Sequence, residues 1–245
     1  MKERKKIVIG HLGEVGRAIA VIFKADYGID KNRFDELMQG IPLSEMDKSW
    51  QEFEWDKYEC VVHICIPFMK NYVGIVVDYM KKIKPVLTLI HTTCKVGTTR
   101  KIYEATDMPV VHCPINGRHP NMVKDIMTYK MFVGAIIEEH GQRACEYIEW
   151  HGLNTYLCET PEITELSKIA STELIRVNIE FYQKMKRKIR RLGLNWAEYI
   201  AFMQEIVEKG KTYNRVYQRA GKIDTKFSGK HCISKNKKLL EELDE

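Results

Sequence analysis

Long apolar runs are missing from this 245-residue chain. The longest, CVVHICIPF at 60–68, falls far short of the ~20 residues that cross a bilayer. The opening MKERKK lacks the apolar stretch and small-residue cleavage site of a secretion signal. Both absences point to a cytoplasmic protein without a membrane partner. Regular cysteine spacing is missing too. Seven cysteines, an odd number, make no disulfide framework, and no two have the spacing of a zinc knuckle. The eight histidines do not cluster as ligands, so no metal is expected. Cys60, Cys65, Cys94 and Cys113 lie in or next to apolar runs, where a thiol behaves as a small hydrophobe. Aromatic residues are absent from the basic run KMKRKIRR at 184–191, which supplies six of the cations behind a net charge of +6. A single-strand binder would interleave rings there, so the run reads as a solvated helix face and nucleic acid is not an expected partner.

What is present describes an α/β chain. Hydrophobic residues make up 44% and charged residues 29%, enough for a proper core. KKIVIG, DYGIDKN (26–32), ECVVHICIPF (59–68), PVLTLIHTT (85–93), MPVVHCPI (108–115) and MFVGAII (131–137) read as strands. RAIAVIFK, NYVGIVVDYMKKI (71–83) and GTTRKIYEAT (97–106) read as helices between them, and GIPLSEMDKSWQEFEWDKY as connecting material. Such alternation implies a mostly parallel sheet covered on both faces. From Glu162 to about Gly210 glycine is scarce and apolar residues recur at helical spacing, with NWAEYIAFMQEIVEK (195–209) a further helix. The expected division is a first domain over 1–160 and a helical segment over 161–245.

The turn IGHLGEVGRAI joins the first strand to its helix. Gly13 and Gly16 stand three apart, as in a dinucleotide site, where they let the backbone approach a pyrophosphate and the helix pack on the strand. The turn Gly10, His11, Leu12, Gly13, Glu14, Val15 and Gly16 is therefore the candidate cofactor cradle, although His11 stands where the G-x-G-x-x-G pattern has its first glycine. Asp30, at the end of the second strand, has the spacing of the acid that grips the adenosine ribose. A carboxylate there favours NAD over NADP, while Lys31 and Arg33 beside it leave NADP open. The fold class is thus α/β, a Rossmann-type doubly wound and mostly parallel sheet followed by a long-helix dimerisation segment.

Three blocks go further. HICIPF with LTLIHTTCKVGTTRKI, then ELSKIASTELIRVNIEF, then FSGKHCISKN, occur in the order found in the UDP-glucose and GDP-mannose 6-dehydrogenases, which the chain resembles. The resemblance implies that Ile66, Pro67 and Thr92 join the cofactor contacts, and that Thr93 lies by the nicotinamide and holds a catalytic water. It implies that Lys168, three residues after a glutamate, stabilises an oxyanion, and that Cys232 is a nucleophile. It also implies a homodimer built on the long helix. A thiohemiacetal on cysteine would explain how such an enzyme takes an aldehyde on to an acid. Lys230, His231 and Lys235 would favour the thiolate.

Departures are equally specific. Thr172 replaces an asparagine four residues after the lysine, and Asn236 an aspartate four after the cysteine. INGRHPNM replaces a glutamate-bearing stretch, so Asn116, Arg118 and His119 become candidate substrate contacts, with Arg118 suited to an anionic group. The family's third domain, which binds the nucleotide half of the substrate, is expected to be lacking after Glu245. The substrate is accordingly expected to be a smaller or differently anchored hydroxyl compound. Two alternatives stay open: a two-electron 3-hydroxyacid-type dehydrogenase using Lys168 with Cys232 a bystander, and a non-redox Rossmann protein. The latter would be an S-adenosylmethionine-dependent transferase or a nucleotide sensor.

Overall fold

In the computed structural model, residues 2–31, 33–118 and 120–212 are described. Strand β1 (Glu3–Ile9) ends at Gly10, and helix α1 (Glu14–Phe23) returns the chain to β2 (Tyr27–Asp30), parallel to β1. The alternation in β1 decides which layer each residue joins. Val8 packs under Ala18, Ile19 and Phe23 of α1, whereas Ile7 and Ile9 join the opposite core. Both faces are therefore apolar, as parallel strands require.

The chain then makes an antiparallel hairpin, β3 (Arg33–Met38) and β4 (Ile41–Glu45), before a short 3-10 turn at Trp55–Lys57. Here the structure corrects the sequence reading, which took the stretch from Gly40 to Tyr58 as connection. The strand signal is weak because β4 is a fully exposed edge and lacks a buried face to set an apolar alternation. Past the turn, β5 (Tyr58–Ile64) pairs with β1 on the side away from β2. Helix α2 (Tyr72–Ile83), β6 (Leu87–Ile90), α3 (Thr98–Thr106) and β7 (Val110–His112) extend the parallel sheet. Three elements follow that periodicity did not resolve: α4 (Met122–Thr128), α5 (Glu138–Trp150) and β9 (Thr155–Cys158). Between α4 and α5, β8 (Met131–Ala135) runs antiparallel to β7 and parallel to β9.

The strand order is β4-β3-β2-β1-β5-β6-β7-β8-β9. It reverses between β1 and β5, and in open α/β sheets ligands bind outside the carboxyl ends of strands at such a switch point. Helix α6 (Pro161–Arg191) and α7 (Trp196–Thr212) complete the described chain. Two compact units, Met1–Lys168 and Ile169–Glu245, divide within α6. The first two turns of α6 belong to the sheet unit because their polar side chains are built into it. Glu162 pairs with Arg100, Thr164 with His112, and Glu165 with the start of α3.

Candidate active site at the switch point

Gly10 has φ +85° and donates to Ile29 O at 2.7 Å. A side chain there would sit 3.0 Å from the Cys65 backbone, so only glycine fits. At Gly16 a Cβ would lie 2.0 Å from Gly10 O, which lets α1 pack directly on the end of β1. Gly13 caps α1, is exposed, and donates to Gly10 O at 3.1 Å. The first-turn amides of α1 have no partner within the helix and form an anion-binding end. Glu14 is exposed beside them and Val15 half-buried. This glycine cradle fits the pyrophosphate of a dinucleotide.

Asp30 closes β2 at the same end. Its carboxylate accepts from Leu12 N at 3.3 Å and from Lys31 N at 2.9 Å, which ties the acid to the turn. His11 does not enter the crevice. Its ring lies over Gly28, where a Cβ would come within 2.4 Å of the ring, and its Nε2 is 2.6 Å from Asp35 on β3. Neither the pairing with Asp35 nor the space above Gly28 was foreseen. The feature behind both is a glycine inside a strand, Gly28, whose register partner on β3 is the buried acid Asp35.

Across β1, Ile66 and exposed Pro67 follow β5, and Ile66 O accepts from Thr92 Oγ1 at 2.7 Å. Half-buried Thr93 comes next, beyond the end of β6. The Thr92 carbonyl accepts from His112 Nε2 at 3.1 Å, and His112 Nδ1 is 2.8 Å from Thr164 Oγ1. Burial holds the His112 imidazole down at about 3, so it is neutral. One turn beyond Thr164, Lys168 Nζ donates to Asn116 Oδ1 at 3.3 Å. Lys168 and Asn116, proposed from separate blocks, are thus brought together beyond β7.

Glu165 was not singled out for a role by sequence. Its carboxylate is fully buried and accepts from Gly97 N at 2.6 Å, Thr99 N at 2.8 Å and Thr99 Oγ1 at 2.7 Å. Desolvation raises its pKa, opposed by those Thr99 and Gly97 donors. It caps α3 and fixes the loop carrying Thr93 to the helix carrying Lys168.

Exposed Arg118 donates its backbone N–H to Asp125 at 2.8 Å, which anchors its turn. Thr172 lies in the second unit, on the same helix as Lys168. Cys232, Asn236 and His119 lie outside the described residues. All six described cysteines are held protonated: burial pushes Cys60 up to about 12 and raises Cys65, Cys94, Cys113, Cys145 and Cys158 as well. Among the described residues no group of three or more metal-ligating side chains occurs. No described helix is long and apolar enough to cross a membrane. A concavity of about 420 Å³ beside Ser44, Asp47, Phe53 and Tyr58 lies at the hairpin, away from this crevice.

The fold is a Rossmann-type, mostly parallel α/β sheet, similar to that of solved sugar and hydroxyacid dehydrogenases. The UDP-D-ManNAc dehydrogenase of Pyrococcus horikoshii superposes with a TM-score of 0.66 at 16% identity, over 96% of this chain and 63% of that one. The UDP-glucose dehydrogenase of Pyrobaculum islandicum gives 0.64 at 17% identity, over 85% of this chain and 57% of that one. The 3-hydroxyisobutyrate dehydrogenase of Mycobacterium tuberculosis gives 0.62 at 15% identity, over 99% and 87%. At these identities the likeness is one of fold, and the chain spans less than two thirds of the two sugar dehydrogenases. No protein-family model matches the sequence, and no curated protein matches it.

Proposed function

We propose that the chain is an NAD-dependent dehydrogenase similar to the nucleotide-sugar 6-dehydrogenases, acting on a hydroxyl group of a small anionic compound. The observation that carries this reading is the contact of Lys168 with Asn116 in the sheet unit that also holds the glycine cradle at Gly10–Gly16. In this reading the first-turn amides of α1 hold the pyrophosphate and Asp30 the adenosine ribose, while Ile66, Pro67 and Thr92 line the path to the nicotinamide. Bound there, the nicotinamide supplies the hydride acceptor. Lys168 stabilises the alkoxide or oxyanion, aided by Thr172, and Thr93 holds a water. Asn116, Arg118 and His119 anchor the substrate's charged end.

Cys232 is assigned the nucleophile. Its sulfur adds to the aldehyde carbon left by the first hydride loss. The resulting thiohemiacetal would give up a second hydride, to a second oxidised nicotinamide, and a proton to become a thioester, and water would release the acid and restore the thiol. Asn236 orients the substrate or that water. A homodimer through α6 accompanies this reading, supported by the exposed Leu174, Val177 and Phe181 at helical spacing. The proposed division at 160/161 falls at the start of α6, two turns before the boundary between the compact units, and the proposed location is the cytoplasm.

Binding and turnover decide it. NAD should stabilise the protein in a thermal shift, and Lys168→Ala should abolish NADH formation while leaving NAD affinity intact. Cys232→Ser should stall oxidation after the first hydride. Wild-type turnover by that variant would leave the two-electron 3-hydroxyacid chemistry, and stabilisation by S-adenosylmethionine alone would remove the redox reading. Light scattering should give twice the 28.7 kDa chain mass.

A further inference from the structure

We propose that Asp35, by sequestering Arg33, makes the crevice reject a dinucleotide bearing a 2′-phosphate; the proposal rests on the dinucleotide reading of the glycine turn. Arg33 is the register partner of Asp30 across the β2–β3 hairpin, so the two side chains share one face at one end of the sheet. A cation at that position, opposite the ribose-binding acid, is where a 2′-phosphate would seek its charge partner.

Arg33 is already engaged through its Nε, on a side chain that is 45% exposed. Its Nε lies 2.8 Å from both carboxylate oxygens of Asp35, and Glu45 approaches it at 4.0 Å. Asp35 is fully buried and its other partner is His11 Nε2 at 2.6 Å. Releasing Arg33 to a phosphate would leave a desolvated carboxylate without its guanidinium, which is strongly unfavourable. The remaining local charge points the same way. Asp30, Asp35 and Glu45 stand around Arg33, so carboxylates outnumber the guanidinium near the ribose position. A hydroxyl donates to Asp30 at no such cost, whereas a phosphate dianion is repelled.

His11 and Gly28 make the arrangement a built one. The imidazole stands where the dinucleotide pattern has a glycine, and the missing Cβ of Gly28 leaves its ring room to reach Asp35. Specificity against the phosphate is thus set by residues on β3 and in the turn, behind the acid that touches the ribose.

Titration calorimetry with NAD and NADP on the full chain tests this at low salt. Wild type should bind NAD at least tenfold tighter than NADP. Asp35→Asn should shrink that ratio at least fivefold through a gain in NADP affinity, and adding Arg33→Ala should remove the gain. Glu45→Gln, an exposed substitution that spares the core, should move the ratio about twofold the same way and serves if Asp35→Asn does not fold. An unchanged ratio in a folded Asp35→Asn protein that still binds NAD overturns the proposal alone. So does a tenfold loss of NADP affinity in Arg33→Ala by itself. Failure of wild type to bind either dinucleotide overturns the underlying reading and the proposal with it.

Discussion

On one side of β1, His11 faces a carboxylate that also holds a guanidinium; on the other, His63, His91 and His112 face only neutral partners. All four rings are buried. In the first cluster charge is compensated in place, so the cost of a change lies in leaving a partner unpaired. In the second, charge is excluded. His63 Nδ1 is 2.9 Å from His91 Nε2, His63 Nε2 is 2.9 Å from Tyr147 Oη, and His91 Nδ1 is 2.7 Å from Cys113 O. Burial keeps His91 down at about 4 and His63 well below its ordinary value. The two sides of the crevice should therefore respond differently to acid and to substitution.

The largest effect is expected from acid. An unfolded histidine takes up a proton near 6.5, whereas folded His91 and His112 resist until about 4 and about 3. Below the unfolded value the unfolded chain binds more protons, so stability is greatest above it and falls as pH falls. Each excluded histidine contributes about 1.4 kcal/mol per pH unit. Urea denaturation from about pH 7 to about pH 4.5 should show a loss of several kcal/mol in total. A flat profile would mean that the imidazoles are not held neutral.

Next is Glu165→Ala, which orphans the Gly97 and Thr99 donors and uncaps α3. It should cost about 2–4 kcal/mol in the same assay. Gly28→Ala should cost about 1–3 kcal/mol by driving a methyl into the His11 ring, and His11→Ala in the same chain should recover part of that. Additive costs would mean that the ring does not occupy the space above Gly28. Lys168→Met should be the mildest, within about 1 kcal/mol, because the methionine keeps most of the apolar stem of this half-buried side chain. One helical turn thus separates a residue needed for stability from one proposed for chemistry.

The sheet and the glycine turn after β1 were legible because they rest on local signals. The KKIVIG run, the spacing of Gly13 and Gly16, and the acid at Asp30 each act within a few residues of one another. What escaped depends on distant partners or on missing burial. Asp35 and His11 are 24 residues apart and meet only because a hairpin folds back beside β2. Glu165 reads as an ordinary helix glutamate until α3 is placed against it, 66 residues away in sequence from Thr99. β9 was missed for a different reason: four residues without a buried side chain leave too little alternation to read.

The hydrogen-bond chain of the second cluster has a direction. A carbonyl can only accept, so His91 must carry its proton on Nδ1 and offer a lone pair from Nε2. His63 must then donate from its own Nδ1, and its Nε2 must accept from the Tyr147 hydroxyl. His112, donating from Nε2 to Thr92 O, is locked in the opposite tautomer. Adjacent strands of one sheet thus hold neutral imidazoles of both tautomeric forms. Long-range nitrogen–proton NMR correlations should resolve them as Nδ1–H for His63 and His91 and Nε2–H for His112. Their imino protons, shielded from water in the core, should exchange slowly enough to be seen directly.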